Sequence, residues 1–195
     1  MCLDTNITKH QNMPYSSEVF DNSIKELFAR WKYKTYLDIG VGAGKYGAII
    51  KSLSGGNHVT GIEIEKEYVE RFGLENLYDE IANKDVLSIV SGAQEIMYDV
   101  VIMGDVLEHL LKSDGLDLVH FYVYRCKRMI VVYPSKYVQY DVGGKKSESH
   151  RSVWGEWDFD HFEHEHKSDG YMNMTVVRGY LDDEDAIINL GGQAS

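Results

Sequence analysis

The sequence predicts an α/β fold with a mostly parallel, doubly wound sheet that ends in an antiparallel hairpin. Strand-length apolar segments alternate with helix-length amphipathic segments along most of the chain, which is typical of right-handed β-α-β units. Two of the strand segments, 98–103 and 128–133, lack any two-residue alternation, as strands buried on both faces do. The last two segments, 161–167 and 171–180, flank Ser168-Asp169-Gly170, a sequence that favours a hairpin turn.

A leading helix comes before the first β-α unit. Ser16 or Ser17 can cap this helix, and its apolar residues recur at helical spacing. They are Phe20, Ile24, Leu27, Phe28 and Trp31. The short, half-apolar segment 35–39 then runs into a glycine turn and a helix that continues through Leu53. We therefore expect strand, tight turn and helix to follow one another here.

Later segments continue the alternation as far as the hairpin. Residues 57–65 are predicted as a strand, 66–72 as a helix, and Val86-Leu87 as a short third strand or its edge. A helix at 114–126 precedes the last buried strand. Residues 134–158 carry few regularly spaced apolar residues, so we expect a long functional loop with a short helix there.

The length of 195 residues indicates a single domain. We place it at 15–185, between a flexible N-terminal segment at 1–14 and a C-terminal tail at 186–195. Cys2 and Cys126 give no disulfide framework. No apolar run approaches the ~20 residues that span a membrane, and the N-terminus lacks the apolar core of a signal peptide. A cytoplasmic protein is therefore expected.

The charge of the chain is acidic and unevenly distributed. Acidic residues number 31 and basic residues 20, for a formal net charge of −11. From Glu156 onward, ten acids stand against two bases, a net of −8, so the first 155 residues carry only −3. This distribution argues against a protein held to nucleic acid or to an anionic membrane by bulk charge, since both are polyanions.

Three glycines, Gly40, Gly42 and Gly44, lie at the first strand-to-helix turn. Without side chains there, the backbone can turn sharply and approach a ligand closely. Asp38 precedes the first glycine by two residues, and Glu63 lies at the end of the next strand. A carboxylate in the latter position accepts two hydrogen bonds from a ribose diol. The pattern therefore predicts a cofactor that contains a nucleoside.

Two nucleoside cofactors compete for this turn. Residues 42–47 match G-x-G-x-x-G, and Glu63 would serve an NAD ribose equally well. Asp38 separates the hypotheses, because a carboxylate at the turn disfavours a pyrophosphate and favours the cationic amino-acid part of S-adenosylmethionine. No tyrosine is followed by lysine four residues later, as a short-chain dehydrogenase would require. Asp85, near the expected end of the third strand, can meet the amino group of a purine.

Four stretches of the chain resemble the class I S-adenosylmethionine-dependent methyltransferases, of the type that acts on small molecules. They are YLDIGVGAG, TGIEIEKEYV, NKDVL and YDVVIMGDVLEHL, and they span roughly residues 35–135. The last stretch is the most specific. The resemblance implies a Rossmann-like, seven-stranded sheet whose last strand is antiparallel, with S-adenosylmethionine as the cofactor.

The resemblance also implies roles for individual residues. The region around the methionine part of the cofactor would comprise Asp38, Gly40, Gly42 and Gly44, with Asp105 beneath it. Glu63 would hold the ribose, and Asp85 and Val86 the adenine. The upstream end of the first helix, near Tyr15, would also cover the cofactor. The chain lacks the Asn/Asp-Pro-Pro-Tyr and Pro-Cys motifs, so methylation of nucleic-acid bases through those motifs is not supported.

His109 and His150 are the candidate catalytic residues. Together with Glu108, His109 follows the fourth strand, at the edge of the sheet where ligands bind. His150 lies on the expected substrate loop. A general base assists methyl transfer to a hydroxyl or to a protonated amine, and a histidine can titrate near neutral pH. The alternatives are a packing role for His109 and a solvated loop position for His150.

Two further segments have a functional and a structural interpretation. The loop 134–151 is locally basic, a net of +2, and it contains Tyr137 and Tyr140 and follows directly on Tyr133. It suits a small anionic or aromatic acceptor, or it is an ordinary solvated loop. In the strand at 161–166, His164 and His166 share a face and could bind zinc with a third ligand. An exposed strand face is the commoner explanation, so we assign no metal ligands.

The leading hypothesis from the sequence is a methyltransferase that uses S-adenosylmethionine and acts on a small molecule by in-line displacement. The alternatives are a non-catalytic module that binds S-adenosylmethionine and an NAD-binding Rossmann oxidoreductase. A nucleic-acid substrate has only the local charge of the 134–151 loop in its favour.

Overall fold

A mixed β-sheet lies at the centre of the fold. The computed structural model describes residues 16–92, 96–136 and 146–181. The strands are β1 Thr35–Ile39, β2 His58–Glu63, β3 Glu80–Asn83, β4 Tyr98–Gly104, β5 Cys126–Pro134, β6 His164–Ser168 and β7 Met172–Arg178. Their order in the sheet is β3-β2-β1-β4-β5-β7-β6. The first five are parallel, and β7 is antiparallel to both of its neighbours.

Helices cover both faces of this sheet. They are α1 Asp21–Trp31, α2 Lys45–Lys51, α3 Lys66–Arg71, α4 Val86–Val90 and α5 Lys112–Val123. Apolar side chains of α1, α2 and α3 pack on the face that carries Val100 and Ile102, and those of α4 and α5 pack on the face that carries Val101 and Met103. Because every one of these β4 residues is buried, the strand shows no alternation. The doubly wound α/β prediction is confirmed.

Two predicted boundaries are wrong. The third strand was expected at Val86-Leu87, but β3 is the more polar segment Glu80–Asn83 and Val86 begins α4. Asp85 explains the difference, because its carboxylate accepts a hydrogen bond from the amide of Leu87 at 2.9 Å and caps the helix. The helix expected at 114–126 ends at Val123, so Cys126 is the first residue of β5.

The closing hairpin is confirmed. Gly170 adopts a φ of 91° in its turn, and the Asp169 carboxylate accepts hydrogen bonds from the amides of Tyr171 and Met172. The described parts of the 134–158 loop contain two 3-10 turns, Lys146–Glu148 and Glu156–Phe159. The predicted segments 1–14 and 186–195 lie outside the described residues. Within the described ranges, no helix combines the length and the apolarity that crossing a membrane requires.

Asp38 is fully buried beneath the glycine turn that follows β1. The Tyr78 hydroxyl donates a hydrogen bond to its Oδ2 at 2.6 Å and accepts one from the amide of Gly47 at 3.2 Å. Oδ1 of Asp38 has no hydrogen-bond partner among the described residues. Burial raises the pKa of Asp38 to about 7, although the bond from Tyr78 opposes this shift. The folded chain therefore holds a proton at Asp38 that the unfolded chain releases near pH 4.

The substitution Asp38→Asn is expected to stabilise the fold in a pH-dependent way. The folded pKa is about 7 and the unfolded pKa 3.8, so ionisation of Asp38 costs stability increasingly as the pH rises from 4 to 7. The cost levels off above pH 7, at about 4 kcal/mol from ~1.4 kcal/mol per pKa unit. Urea denaturation at pH 4, 6 and 8 should show that the gain from asparagine grows with pH.

Asp79→Asn is the control for this measurement. Lys51 and the amide of Val59 stabilise the Asp79 carboxylate and lower its pKa. Asparagine at this position should therefore destabilise the chain at neutral pH, and the effect should shrink on acidification. A pH-independent effect of Asp38→Asn would contradict the buried, protonated carboxyl.

Candidate active site

A cavity of about 650 Å³ opens at the carboxyl ends of the central strands. In the sheet, β2 and β3 lie on one side of β1, whereas β4 and β5 lie on the other. The chain connections therefore diverge between β1 and β4, which is where ligands bind in open α/β sheets. The volume lies within the range of small-molecule sites, roughly 300–1,000 Å³.

The glycine turn after β1 forms one wall of the cavity. Gly40, Gly42 and Gly44 have φ values of 71°, 55° and 86°, a region that side chains rarely adopt. A Cβ atom on Gly40 would lie 2.4 Å from Cγ2 of Val106, in the turn after β4. Gly40 and Gly42 line the cavity, whereas Gly44 packs against Leu74 and Leu77 outside the lining. The two turns thus meet at a distance that only glycine permits.

Glu63, the last residue of β2, lies buried in the cavity wall. Its Oε2 accepts a hydrogen bond from the amide of Gly42, and its Oε1 accepts one from the amide of Glu65, both at 2.8 Å. Burial raises the pKa of Glu63, and the two amides oppose the shift. Each carboxylate oxygen has a second lone pair. Glu63 is therefore held in place by the backbone and can still accept hydrogen bonds from a diol.

An apolar surface continues the cavity toward β3. Ile64 is 52% exposed, although it is aliphatic, and it lines the cavity together with Val86 and Leu87. Asp85 also lines the cavity, but its Oδ1 is engaged by the amide of Leu87. This part of the wall suits a flat, largely apolar ring. Asp38, by contrast, lies behind the glycine turn and outside the lining, so it can influence a ligand only through the turn or by its charge.

The turn after β4 carries a second carboxylate. Asp105 has a φ of 55°, unusual for a residue with a side chain, and its amide donates to the carbonyl of Val132 at 2.9 Å. The side chain of Ser16 hydrogen-bonds Asp105, while burial raises the pKa of Asp105. Its Oδ2 has no hydrogen-bond partner among the described residues. Ser16 and Ser17 line the cavity as well, whereas Tyr15 lies outside the described residues.

Backbone hydrogen bonds bring a distant loop to this turn. The carbonyl of Glu108 accepts hydrogen bonds from the amides of Arg151 and Ser152, at 2.7 and 3.1 Å. The Ser152 hydroxyl donates to the carbonyl of Leu107, and the buried Trp154 indole donates to that hydroxyl. The segment 150–154 is therefore fixed against the end of β4.

This arrangement places three functional side chains together in the cavity. The rings of His109 and His150 meet edge to face, with centroids 4.9 Å apart. Glu108 is nearly inaccessible, at 2% exposure, and its Oε2 has no hydrogen-bond partner among the described residues. One nitrogen or oxygen atom from each of the three lies within 4.8 Å of the others. These residues could hold a metal ion.

Burial favours the uncharged form of each of these side chains. It raises the pKa of Glu108 well above the usual value, and the nearby Asp105 raises it further. Burial lowers the pKa of His109, against a hydrogen bond to the backbone of Ser149. Burial and the neighbouring His109 lower the pKa of His150 to about 4. Both imidazoles are therefore neutral at pH 7, the form that binds metals and accepts protons.

The structure describes part of the two remaining candidate segments, the loop after β5 and the strand at 161–166. Tyr133 is fully buried and its hydroxyl shares a hydrogen bond with Thr175, so it is not part of an acceptor mouth. Tyr137 and Tyr140 lie outside the described residues. In the hairpin, Nδ1 of His164 contacts the carbonyl of Phe162, and Nδ1 of His166 contacts the Thr175 hydroxyl. These histidines are engaged in local bonding, each at 3.0 Å.

The cavity lining is acidic. Among the described residues that line it, two are basic, Lys84 and Arg151, and five carry carboxylates, namely Glu63, Asp85, Asp105, Glu108 and Glu148. Burial raises the pKa of Glu63, Asp105 and Glu108, and a cationic ligand would stabilise their charged forms, whereas a pyrophosphate would not.

Eight of the ten residues predicted for the site line the cavity, and Asp38 and Gly44 lie outside its lining. The lining also contains four residues that were not predicted for the site, namely Ser16, Ser17, Glu108 and Glu148. Tyr68 and Glu148 form a hydrogen bond of 3.0 Å, and Ser147 and Glu65 one of 2.6 Å. These bonds join Ser147 and Glu148 to α3 and to the residue that precedes it. Of the four lining residues that were not predicted, only Glu108 could have been suspected from the sequence, because it lies next to His109.

No protein-family model matches the sequence, and no curated protein matches it. Solved structures do resemble the fold. The N-terminal domain of EvdMO1, solved with SAH bound, is 12% identical, with 85% of this chain and 83% of that chain covered and a TM-score of 0.60.

Two methyltransferases also resemble this chain. Magnesium protoporphyrin IX methyltransferase from Synechocystis PCC 6803, solved with bound SAM, is 15% identical, with 82% and 77% of the two chains covered and a TM-score of 0.58. The methyltransferase domain of bacterial CtHen1-C is 15% identical, with 82% and 96% covered and a TM-score of 0.61. At these identities the likeness concerns architecture. The fold implied by the sequence resemblance is therefore confirmed: this chain has the α/β fold of these methyltransferases.

Proposed function

We propose that this chain is a methyltransferase that uses S-adenosylmethionine and transfers the methyl group to a small molecule. The observation that carries the proposal is the cavity between β1 and β4, in which a glycine turn, a fixed Glu63 and an excess of carboxylates surround one space. The sulfonium and ammonium groups of S-adenosylmethionine are both cationic, so this lining fits the cofactor. The fold shared with the methyltransferases described above supports the proposal.

The cofactor would lie across the β1–β2–β3 side of the cavity. Glu63 would accept hydrogen bonds from the ribose hydroxyls, and Ile64 and Val86 would contact the adenine. The methionine part would lie against Gly40 and Gly42. Asp105, with a buried oxygen that lacks a partner among the described residues, would face its positive charge. Asp38 would act from behind the glycine turn, by fixing the conformation of that turn.

The protein would contribute alignment and a neutral environment at the acceptor. When bound, S-adenosylmethionine supplies an already activated methyl group, so positioning provides much of the rate. His109 and His150 lie on the β4–β5 side, where the acceptor would enter. Burial weakens both imidazoles as bases, so they would accept a hydrogen bond from the acceptor, take up its proton only as methyl transfer proceeds, or hold an ion that orients it. The described loop residues 146–151 would cover the site and limit its access to small molecules.

The acidic lining disfavours the competing functions. An NAD pyrophosphate would bring two negative charges to a cavity wall that already contains Glu63 and Asp105. A module that only binds the cofactor would need no space beside it, yet the cavity extends from Ile64 on one side to His150 on the other. A nucleic-acid acceptor would meet the same carboxylates and a net charge of −11.

Ligand preference is the first test of the proposed function. Isothermal titration of the intact chain should show that S-adenosylhomocysteine binds and that NADH binds at least tenfold more weakly. A screen of small molecules for release of S-adenosylhomocysteine from S-adenosylmethionine should then identify the acceptor. Preference for NADH would contradict the proposal. Binding without turnover of any acceptor would favour the non-catalytic module.

The substitution Glu63→Gln tests the ribose site. We expect affinity for S-adenosylhomocysteine to fall by about 10- to 100-fold, since a hydrogen bond to a charged group contributes about 1.5–3 kcal/mol. The amide oxygen of glutamine can accept a hydrogen bond from only one of the two backbone amides, Gly42 or Glu65, so urea unfolding must show that the variant keeps its fold.

Glu75→Gln is the matched control, because Glu75 is an exposed glutamate on the 3-10 turn Leu74–Asn76. It should leave the affinity unchanged, and both variants should unfold cooperatively in urea. Equal affinity of the wild type and Glu63→Gln for S-adenosylhomocysteine would show that Glu63 does not bind the cofactor.

A further inference from the structure

The cluster of Glu108, His109 and His150 has the properties of a metal site. These side chains come from two segments separated by the whole of α5 and β5, yet they place ligand atoms within 4.8 Å of one another. All three line the same cavity. We propose that they bind a divalent transition-metal ion whose remaining coordination positions face the cavity and take an oxygen atom of the acceptor.

The buried polar atoms of the cluster indicate a bound ion rather than side chains that satisfy one another's hydrogen bonds. Oε2 of Glu108 and Nδ1 of His109 have no hydrogen-bond partner among the described residues, although both are buried. A buried carboxyl oxygen without a partner is costly, and groups of this kind call for an explanation such as an ion that replaces the carboxyl proton. A cation between Glu108 and the two rings would satisfy both atoms at once.

The surroundings of the cluster resemble the supporting shell of a metal site. The His109 ring hydrogen-bonds to the backbone of Ser149, and metal-binding histidines commonly use their second nitrogen in this way. The amide bonds from Arg151 and Ser152 to the Glu108 carbonyl fix the chain on either side of the ligands. The site is therefore held in place without the ion.

The donor set selects the class of ion. Two imidazole nitrogens and one carboxylate oxygen suit Zn²⁺, Co²⁺ or Mn²⁺ better than Ca²⁺, which prefers oxygen ligands in larger number. Three protein ligands leave positions open for a substrate, as in catalytic zinc sites. Asp105, whose Oδ2 is also buried without a partner among the described residues, adds negative charge beside the cluster.

The position of the cluster indicates the substrate class, an inference that rests on the proposed function. Glu63 and Ile64 occupy the β2 side of the cavity, and the cluster occupies the β4–β5 side, where the acceptor would enter. A metal ion lowers the pKa of a hydroxyl that it coordinates. The acceptor would therefore be a small molecule with a hydroxyl group rather than an amine, since an amine bound to the ion would have no lone pair left to attack the methyl group.

Metal binding by the intact chain tests this proposal without any assay of activity. After treatment with a chelator and its removal, the chain should bind one Co²⁺ and show the visible absorption of nitrogen- and oxygen-ligated cobalt, and Zn²⁺ should displace it. Glu108→Gln and His150→Asn should each weaken Co²⁺ affinity by at least about 100-fold, more than the roughly 10- to 100-fold cost of losing an outer-shell partner.

The double variant His164→Asn, His166→Asn is the control, since these histidines lie in the hairpin and outside the cavity lining. It should bind Co²⁺ as the wild type does. Absence of binding to the wild type, retention of binding in Glu108→Gln and His150→Asn, or loss of binding in the hairpin variant would each overturn the proposal.

Titration of the same proteins with S-adenosylhomocysteine separates this proposal from the proposed function. Wild type and both cluster variants should bind S-adenosylhomocysteine alike, which also shows that the variants fold. Binding of S-adenosylhomocysteine without binding of metal would support the proposed function and contradict the metal site. Binding of Co²⁺ without binding of S-adenosylhomocysteine would support the metal site and contradict the proposed function.

Discussion

Parallel pairing of β1 with β4 is the constraint on which the candidate site depends. Tyr36 pairs with Val100 and Ile39 with Met103, so both strands end at the same edge of the sheet. The glycine turn after β1 and the turn after β4 must then share one cleft, and the contact between Gly40 and Val106 shows how closely they approach. Buried side chains on both faces of β4 hold this register, so the position of the cavity follows from the core.

A second interaction decides what the cavity contains. The carbonyl of Glu108 accepts hydrogen bonds from the amides of Arg151 and Ser152. These bonds bring His150 to Glu108 and His109, in the segment that follows β4. The Ser152 hydroxyl in turn accepts a hydrogen bond from the buried Trp154 indole, so the position of the loop depends on the apolar core that surrounds Trp154. The two halves of the site thus have different origins: the cofactor side comes from turns directly attached to the central strands, and the acceptor side from a loop that folds back onto them.

The difference explains how much the sequence could reveal. Buried strands such as β4 and the spacing from the glycine turn to Glu63 are local patterns, so the sheet and most of the cofactor wall were predictable. β3 was not, because a polar edge strand has no apolar signature and Asp85 starts a helix where a strand was expected. The meeting of His109 with His150 was not predictable either, since 41 positions separate them and backbone amides make the contact. The position of Asp38 before the glycines is apparent in the sequence, but its hydrogen bond with Tyr78 is apparent only in the structure.

One cavity, between β1 and β4, should hold the adenosyl cofactor beside the acceptor. The decisive experiment is a crystal structure of the chain with S-adenosylhomocysteine. We expect the ribose hydroxyls within hydrogen-bond distance of Glu63, the adenine against Ile64 and Val86, and the sulfur pointing toward the side of the cavity that carries His109 and His150. A ligand bound elsewhere on the chain, or bound with its sulfur away from these histidines, would show that this cavity does not align the cofactor with an acceptor.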